Sequence, residues 1–521
     1  MDSGLQKTVT KRPRFSEDVS RCNNQDMISN LPDALISHIL SFLPTKYAVG
    51  TTILSKRWNY LWTSVKNLDF NSSLILNIGR GYYASSDEFM KSFVEFVERV
   101  LFFHDGMSVD KLCISSRSRV CDNQIYTWVS AVLPCHLKEL QVTSTSVRQT
   151  PSSELWQVDL PWSLFTCKTL TTLKLCGGFV LRIPTRVCLP ALKILHLDSV
   201  IYVDDVSIQN LLSGCPVLED LDIERRNWDG VQVIDITSPT LKRFSLQFFL
   251  YDHFGRFPYK ISVSAPSLLY LKLADNMAVK YSVDKMPSLV EAQIGIYNYN
   301  SPSSLKLVKE VAHVRVLQLS GKILEFIESA KNYKFPLFHN LVRLELGANK
   351  EAGWDLLAEL LQSTPNLEVL VFPRGLVKRI SSSKKPYFQF EWDPPETVPG
   401  CLLLSLKMII IHDFFGKNCE MDLVEYLLEN AKVLKQMTIY FLNFKRQESC
   451  QRNLLRCRRG SPTCKLELIL KEEHVKIGDT YDRYILPNLR GALLVLAHYG
   501  TAQQECKFFK LIRKSLLYYI L

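Results

Sequence analysis

The residues able to do chemistry in this chain are plentiful but scattered. Ten histidines and fourteen cysteines are spread over 521 residues, and neither type falls into a catalytic or metal-ligating spacing. No C-x-x-C pair occurs, and Cys450, Cys457 and Cys464 recur every seven residues, too wide for a zinc hairpin. A phosphate-cradling glycine loop, an H-E-x-x-H helix, a G-x-S-x-G elbow and a dinucleotide fingerprint are all missing. His196 falls on an expected strand, with His253 and His412 near loops, and a structural role suits each of them better than a catalytic one. What the residue types do support is recognition. Lys174, Lys193 and His196, then Glu219, Asp220 and Asp222, then Lys242, Arg243 and Lys272 form a band whose charge alternates along the chain. Such a band suits a charged segment of another protein, and it suits a solvated surface with compensating charges equally well. Arg446, Arg452, Arg456, Arg458 and Arg459 could hold an anion, although a solvated helix end explains them more simply. A further set is apolar: Leu31, Pro32, Ile36, Leu43, Pro44, Val49, Leu54 and Trp58 crowd into one short segment.

The element that carries this apolar set spans residues 26–62. Asn30 is placed to cap a first helix with Pro32 and Asp33 in its opening turn, where orphan amides and the helix dipole favour them. Leu35, Ile36, Ile39, Leu40 and Leu43 follow at helical spacing until Pro44 ends the element. Thr45 opens a second helix with Ala48, Val49, Ile53 and Leu54, and Ser55 caps a third with Trp58, Leu61 and Trp62. A three-helix unit of about 40 residues cannot bury that much apolar surface by itself. The surplus must meet the rest of the chain or another protein.

This segment resembles a plant F-box. The resemblance runs through Ile28-Ser29-Asn30-Leu31-Pro32-Asp33, then His38-Ile39-Leu40-Ser41-Phe42-Leu43-Pro44-Thr45-Lys46, then Val49 and Leu54-Ser55-Lys56-Arg57-Trp58. It implies docking on a Skp-type adaptor, and through it on the cullin and RING subunits of a ubiquitin ligase. Leu31, Pro32, Ile36, Leu43, Pro44, Val49, Leu54 and Trp58 then stand in or behind the adaptor interface. Ala34, Tyr47 and Gly50 depart from the usual pattern, and Gly50 costs roughly 1 kcal/mol of helix propensity against Ala.

From about residue 109 to 372 an apolar-x-x-apolar-x-apolar pattern returns ten times or more. Leu137/Leu140/Val142, Leu170/Leu173/Leu175, Leu192/Leu195/Leu197, Leu218/Leu221/Ile223, Leu241/Phe244/Leu246 and Leu268/Leu271/Leu273 are successive copies. Later copies begin at Leu289, Val314, Leu341 and Leu367. Val109/Leu112/Ile114 fits ahead of them, and Val65/Leu68/Phe70 marks a first copy directly after the helical segment. Most starts lie roughly 21 to 28 residues apart, the period of leucine-rich repeats. Each copy predicts a short strand with its second and third apolar residues inward and the residue between them outward. Stacked in parallel, such strands bury a core that no single repeat could bury. Return segments at Val206–Leu212 and Trp354–Leu361 read as helices, whereas Ile201-Tyr202-Val203-Asp204 and Phe254-Gly255-Arg256-Phe257-Pro258 read as irregular. An asparagine at the ladder position appears only at Asn276 and Asn349, so the expected arc is irregular. Its outward strand positions, and the loops at Tyr251–Tyr259 and Tyr297–Ser304, are rival contact sites.

Beyond a polar stretch the pattern changes. Leu406 to Ile411 predicts a buried strand, Gly416-Lys417-Asn418 a turn, Met421 to Asn430 a helix, and Val433 to Ile439 another strand. This resembles the FBD domain that follows leucine-rich repeats in many plant F-box proteins, and physically it continues and caps the solenoid. The resemblance covers about residues 26–470, including Arg446 to Cys464. The final segment holds two possible helices, Arg490–Leu496 and Phe508–Leu521.

The expected fold is thus α/β: a three-helix F-box, then an irregular parallel-strand solenoid with helical or irregular returns, capped by a strand–helix–strand unit. The expected boundaries are 1–25 disordered, 26–72 F-box, 73–375 repeats, 376–396 linker, 397–470 FBD and 471–521 a tail of open structure. No apolar run reaches the ~20 residues of a membrane span, and the N-terminus has no signal-like stretch. Cytoplasm, nucleus or both is the expected location; Lys11-Arg12-Pro13-Arg14 is a short basic match to a nuclear signal. Without a secretory signal the cysteines read as reduced small hydrophobes. The net charge of +11 concentrates after Phe441, where fifteen Lys and Arg face seven Asp and Glu, so nucleic acid is not the expected partner. No cofactor and no metal are expected. The resemblance implies a non-catalytic receptor that holds an unknown protein substrate near a conjugating enzyme, with a ligase-independent interaction scaffold as the alternative. Lys174, Lys193, His196, Asp222, Arg243 and Lys272 are the candidate substrate contacts.

Overall fold

A computed structural model describes residues 31–75, 86–106, 108–116, 122–144, 158–225, 231–248, 259–276, 280–284, 286–296, 303–330, 333–347, 355–376, 394–442 and 447–470. Among these, fifteen strands form one sheet in strict chain order. They are β1 (Asn67–Asn71), β2 (Lys111–Ser116), β3 (Glu139–Ser144), β4 (Thr172–Cys176), β5 (Ile194–Asp198), β6 (Asp220–Arg225), β7 (Arg243–Phe248) and β8 (Tyr270–Asp275). Then follow β9 (Glu291–Ile296), β10 (Val316–Leu319), β11 (Arg343–Leu346), β12 (Val369–Phe372), β13 (Met408–Phe414), β14 (Gln436–Phe441) and β15 (Lys465–Leu470). Every neighbouring pair is parallel, for example β5 with β6 through Leu195↔Leu221 and Leu197↔Ile223. A sheet that grows by one parallel strand per repeat is a solenoid.

The repeat pattern sets the register. From β1 to β12 the two apolar residues expected inward are buried in each strand, from Leu68 and Phe70 to Leu370 and Phe372. A recurring local device starts the strands. In Leu189-Pro190-Ala191-Leu192, Cys215-Pro216-Val217-Leu218, Ala265-Pro266-Ser267-Leu268, Met286-Pro287-Ser288-Leu289 and Thr364-Pro365-Asn366-Leu367, the last amide donates to the first carbonyl at 3.1–3.3 Å. Proline at the second position presets the turn, and the leucine it delivers is buried.

The return segments alternate in kind. Early ones are helical at Ser86–Phe103 and Asp122–Val132, and helices return at Asp205–Ser213 and from Ser303–Glu310 onward. Val206–Leu212 lies inside the first of these later helices as expected, and Asp204 caps it by accepting from Ser207 N at 2.8 Å. Between them the chain returns as strands, which the sequence reading missed. Val233–Thr237, Lys260–Ser264 and Lys280–Val283 form a second parallel sheet, and Val180–Leu181 pairs with Ile201–Tyr202. The alternation Val231, Ile234, Ile236 and Ile261, Val263 was the available signal, since these residues are buried. One row of the main sheet departs from apolar filling. Arg225, Phe248 and Asp275 are register neighbours, all buried, with the Arg225 guanidinium 4.3 Å from the Phe248 ring centre.

The C-terminal unit continues the same sheet. Helix Asn418–Asn430 lies between β13 and β14 in the chain, near the expected bounds, and helix Gln447–Arg456 leads to β15. Residues 471–521, with the two possible helices expected there, lie outside the described residues, as do Asn30, Lys11–Arg14, Asn349, Arg446 and nearly all of both rival loops. Among the described residues no helix is long and apolar enough to cross a membrane.

Candidate functional sites

The helical segment differs from its expected form at both ends. Helix α1 (Asp33–Leu40) takes Pro32 as its capping position, and the Leu35 and Ile36 amides donate to Pro32 O. Arg57 returns to this end, bonding Asp33 Oδ1 through Nε at 3.0 Å and Leu31 O through Nη2. Helix α2 (Thr45–Gly50) stops before Ile53 and Leu54, and the expected third helix is a series of 3₁₀ turns at Thr51–Ile53, Lys56–Asn59 and Leu61–Ser64. The run Gly50-Thr51-Thr52-Ile53 explains the break, since glycine and β-branched residues are poor helix formers. Trp58 still falls inward, on a turn rather than a helix.

The apolar set divides by burial. Ile36, Leu43, Pro44 and Trp58 are buried inside the chain's own core, whereas Leu31 and Val49 are half-buried and Pro32 is exposed. Leu54 is 37% exposed, and two residues the sequence reading passed over are more open: Ile53 at 66% and Tyr60 at 77%. The signal for them was present in the mismatch between a β-branched run and a helix. Tyr47 packs partly against the core, and Ala34 is exposed. A Cβ on Gly50 would meet nothing within 4 Å.

The segment is not a free-standing unit. Ile36, Leu40, Leu43, Ala48, Trp58 and Trp62 share one continuous core with Leu68 and Phe70 of β1. Thr45 Oγ1 accepts from Asp69 N at 2.7 Å, and Asn67 Nδ2 donates to Ser41 O at 3.3 Å. Part of the apolar surplus therefore closes the end of the solenoid. The inner half caps β1, and Ile53, Leu54 and Tyr60 remain exposed.

The charged band also divides. Its residues lie on the open face of the sheet in three rows. Glu219 stands between two lysines, 2.9 Å from Lys242 Nζ and 3.9 Å from Lys193 Nζ. The hydrogen bond and charge of Lys242 hold its carboxyl below the ordinary value. Asp220 stands likewise between His196 Nε2 at 3.5 Å and Arg243 Nε at 3.8 Å, and the Arg243 guanidinium lies 4.2 Å over the Tyr270 ring. Burial pushes the Tyr270 hydroxyl up, and Glu291, Asp222 and Asp220 add to this against Arg243. These two rows neutralise themselves. In the third row Lys174, His196, Asp222, Ser245 and Lys272 are consecutive register neighbours on β4 to β8. Here Lys174, Asp222 and Lys272 make no ion pair among the described residues.

Of the remaining polar candidates among the described residues, His412 is packed and the arginines are exposed. His412 stacks flat on Tyr440 at 4.5 Å between ring centres. Arg459 Nη1 donates to Cys464 O at 3.0 Å, and Arg452 and Arg456 lie on helix Gln447–Arg456. Burial pushes the Cys215 thiol up to about 12 and Cys401 up to about 11, which disfavours the thiolate a nucleophile needs. Among the described residues no group of three or more His, Cys, Asp or Glu could hold a metal ion.

Comparison with known proteins agrees with this architecture along the chain. The F-box domain matches residues 28–70, the repeats of "FBD-associated F-box protein At5g56370, LRR repeats" match 125–294, and FBD matches 393–439. F-box/LRR-repeat protein At4g14096 of Arabidopsis thaliana is 33% identical over 440 residues, covering 81% of this chain and 89% of its own length. Putative F-box/FBD/LRR-repeat protein At3g59240 of the same plant is 32% identical, covering 85% and 90%. F-box/FBD/LRR-repeat protein At4g26340, also from Arabidopsis thaliana, is 32% identical, covering 79% and 91%. The chain belongs to the F-box/FBD/LRR-repeat family of plant proteins.

Proposed function

We propose that this chain is the substrate-recognition subunit of a Skp–cullin–F-box ubiquitin ligase. Its F-box holds the Skp-type adaptor, and the adaptor links it to the cullin and RING subunits. The open face of the solenoid holds the target protein. Catalysis then belongs to the RING partner and its conjugating enzyme; this chain supplies proximity by raising the effective concentration of the target. The reading places the protein in the cytoplasm, the nucleus or both.

The observation that carries the reading is the outward trio Ile53, Leu54 and Tyr60, exposed on a domain whose other leucines, isoleucines and aromatic residues are buried or half-buried. Large exposed apolar side chains grouped on a short stretch mark a protein contact, and aromatic anchors dominate such contacts. Leu31 and Pro32 belong to the same expected interface.

Co-expression with a Skp-type adaptor tests this. Wild type should co-purify with it in equal amounts. Ile53→Asp with Tyr60→Ala should weaken adaptor binding about 100-fold, a change typical of interface anchors, with the melting temperature unchanged. Leu31→Ala with Pro32→Ala should act in the same direction. Failure of wild type to bind any Skp-type adaptor would sink the proposal and favour the ligase-independent scaffold.

A further inference from the structure

The third row of the open face has a composition that its neighbours lack. Lys174 on β4 has Gln141 and His196 as register neighbours, and Lys272 on β8 has Ser245 and Gln293. None of these is a carboxylate, so neither lysine is neutralised across the sheet. The outward carboxylates on the adjacent strands, Glu139 and Glu291, are held by Lys111 Nζ and Gln293 Nε2, and Glu219 and Asp220 by Lys242 and Arg243.

One strand short of Lys272 the row dips. Ser245 is only 8% exposed although it stands at an outward position. Its Oγ makes no hydrogen bond among the described residues, and neither does the buried Oδ1 of Asp222 beside it. A buried oxygen left unmated costs on the order of 1–3 kcal/mol, so two on adjacent strands need an explanation beyond packing. Arg243 stacked on Tyr270 lies on the same two strands as Ser245 and Lys272, one pleat away, and makes one wall of the dip.

Distance fixes what such a row can hold. Four strand steps separate Lys174 from Lys272, about 19 Å at roughly 4.8 Å per step. An extended peptide covers that distance in about six residues at roughly 3.3 Å each. We infer that this row binds an extended segment of a target protein that carries a carboxylate at each end, about six residues apart. Between them sits a side chain that donates N–H bonds, such as Asn, Gln or Arg. The end carboxylates pair with Lys174 and Lys272, and the donor between them reaches Asp222 Oδ1 and Ser245 Oγ. The adjoining rows add walls and little attraction, because their charges are already mated. That the segment belongs to a degradation target rests on the receptor reading; the peptide preference does not.

The test uses the purified full chain and an array of synthetic peptides. Each peptide places Asp, Glu or Ala at positions one and seven and Asn, Arg or Ala at position five, which shares their face in an extended chain, between Gly-Ser flanks. Peptides with two acidic ends should bind about tenfold tighter than those with one. Lys174→Glu and Lys272→Glu should each abolish the preference at one end. The double variant should instead select lysine-ended peptides, a gain that a misfolded protein would not show. Lys242→Glu, in a mated row, should change binding by less than about twofold. No preference for acidic ends, or a preference that survives both single variants, overturns the inference. Adaptor binding is measured separately on the same preparations. Its loss with the peptide preference intact would remove the receptor reading alone.

Discussion

The first and last units of the solenoid are held by different chemistry. At the first end, the F-box places Ile36, Leu43 and Trp58 in a core continuous with β1 and satisfies the Asp69 amide with a neutral hydroxyl, Thr45 Oγ1. At the other end, the FBD unit holds a helix start with a buried carboxylate. Glu420 accepts from the Phe415 and Lys417 amides at 3.1 and 3.0 Å, while its other oxygen has no partner among the described residues. The first closure is mainly apolar, although burial there also raises the Asp69 carboxyl. The second adds one buried polar group to the apolar face of Leu423, Val424, Leu427 and Leu428, and burial pushes the Glu420 carboxyl up to about 7 even though those amides act in the opposite direction. A repeat protein needs both ends covered, because each repeat exposes a core face to its neighbour. The first end also leaves Ile53, Leu54 and Tyr60 exposed.

The largest effect should come from the apolar closure. Trp58 is buried, so Trp58→Ala should cost about 3–5 kcal/mol in urea unfolding, and it should lower amide-exchange protection in β1 as well as in the F-box. Protection lost in the F-box alone would show that the two are separate units and break the comparison.

The polar closure should reveal itself through pH. Glu420 takes up its proton near pH 7 when folded and near its ordinary 4.5 when unfolded. The folded state therefore binds more protons between these values, and stability rises as pH falls from about 7 toward 4.5. The change should amount to about 2–3 kcal/mol at most and level off below that window. Glu420→Gln keeps an acceptor for both amides and should flatten this dependence, raising stability at pH 8. Denaturant midpoints measured from pH 4.5 to 8 decide it, and an unchanged slope in the variant would reassign the effect.

Smaller tests refine the first end. Thr45→Val keeps the shape but strips the Asp69 amide of its acceptor, and should cost about 1 kcal/mol by thermal unfolding. Gly50 has helical dihedrals and open space at its Cβ position. Gly50→Ala should therefore stabilise the protein by roughly 0.5–1 kcal/mol, and a loss instead would mean that the α2 end needs its flexibility.

Much of the fold was legible because the repeat is local and periodic. Leu68 and Phe70, Leu195 and Leu197, Leu344 and Leu346 each declare a strand from within a few residues, and every one is buried. The motif at 28–58 was legible in the same way. Less visible were the second sheet, where Val233–Thr237, Lys260–Ser264 and Lys280–Val283 pair across about a repeat, and the 3₁₀ turns after Gly50. A strand's propensity is local, but its partner is not. The candidate contacts were half legible: outward placement of Lys174, Asp222 and Lys272 followed from alternation, and their lack of an ion pair did not.

The sequence by itself determined which side chains face in and which face out, because alternation along a strand needs only nearest neighbours. It also determined the order of F-box, repeats and FBD. Only the tertiary structure decided which outward charges are mated and which apolar residues remain exposed. Glu219 meets Lys193 and Lys242 from adjacent repeats, and Trp58 is buried in the core continuous with the repeats rather than left in solvent. Those outcomes depend on residues brought beside each other by the register of the stacked sheet, and a register is a property of two strands at once.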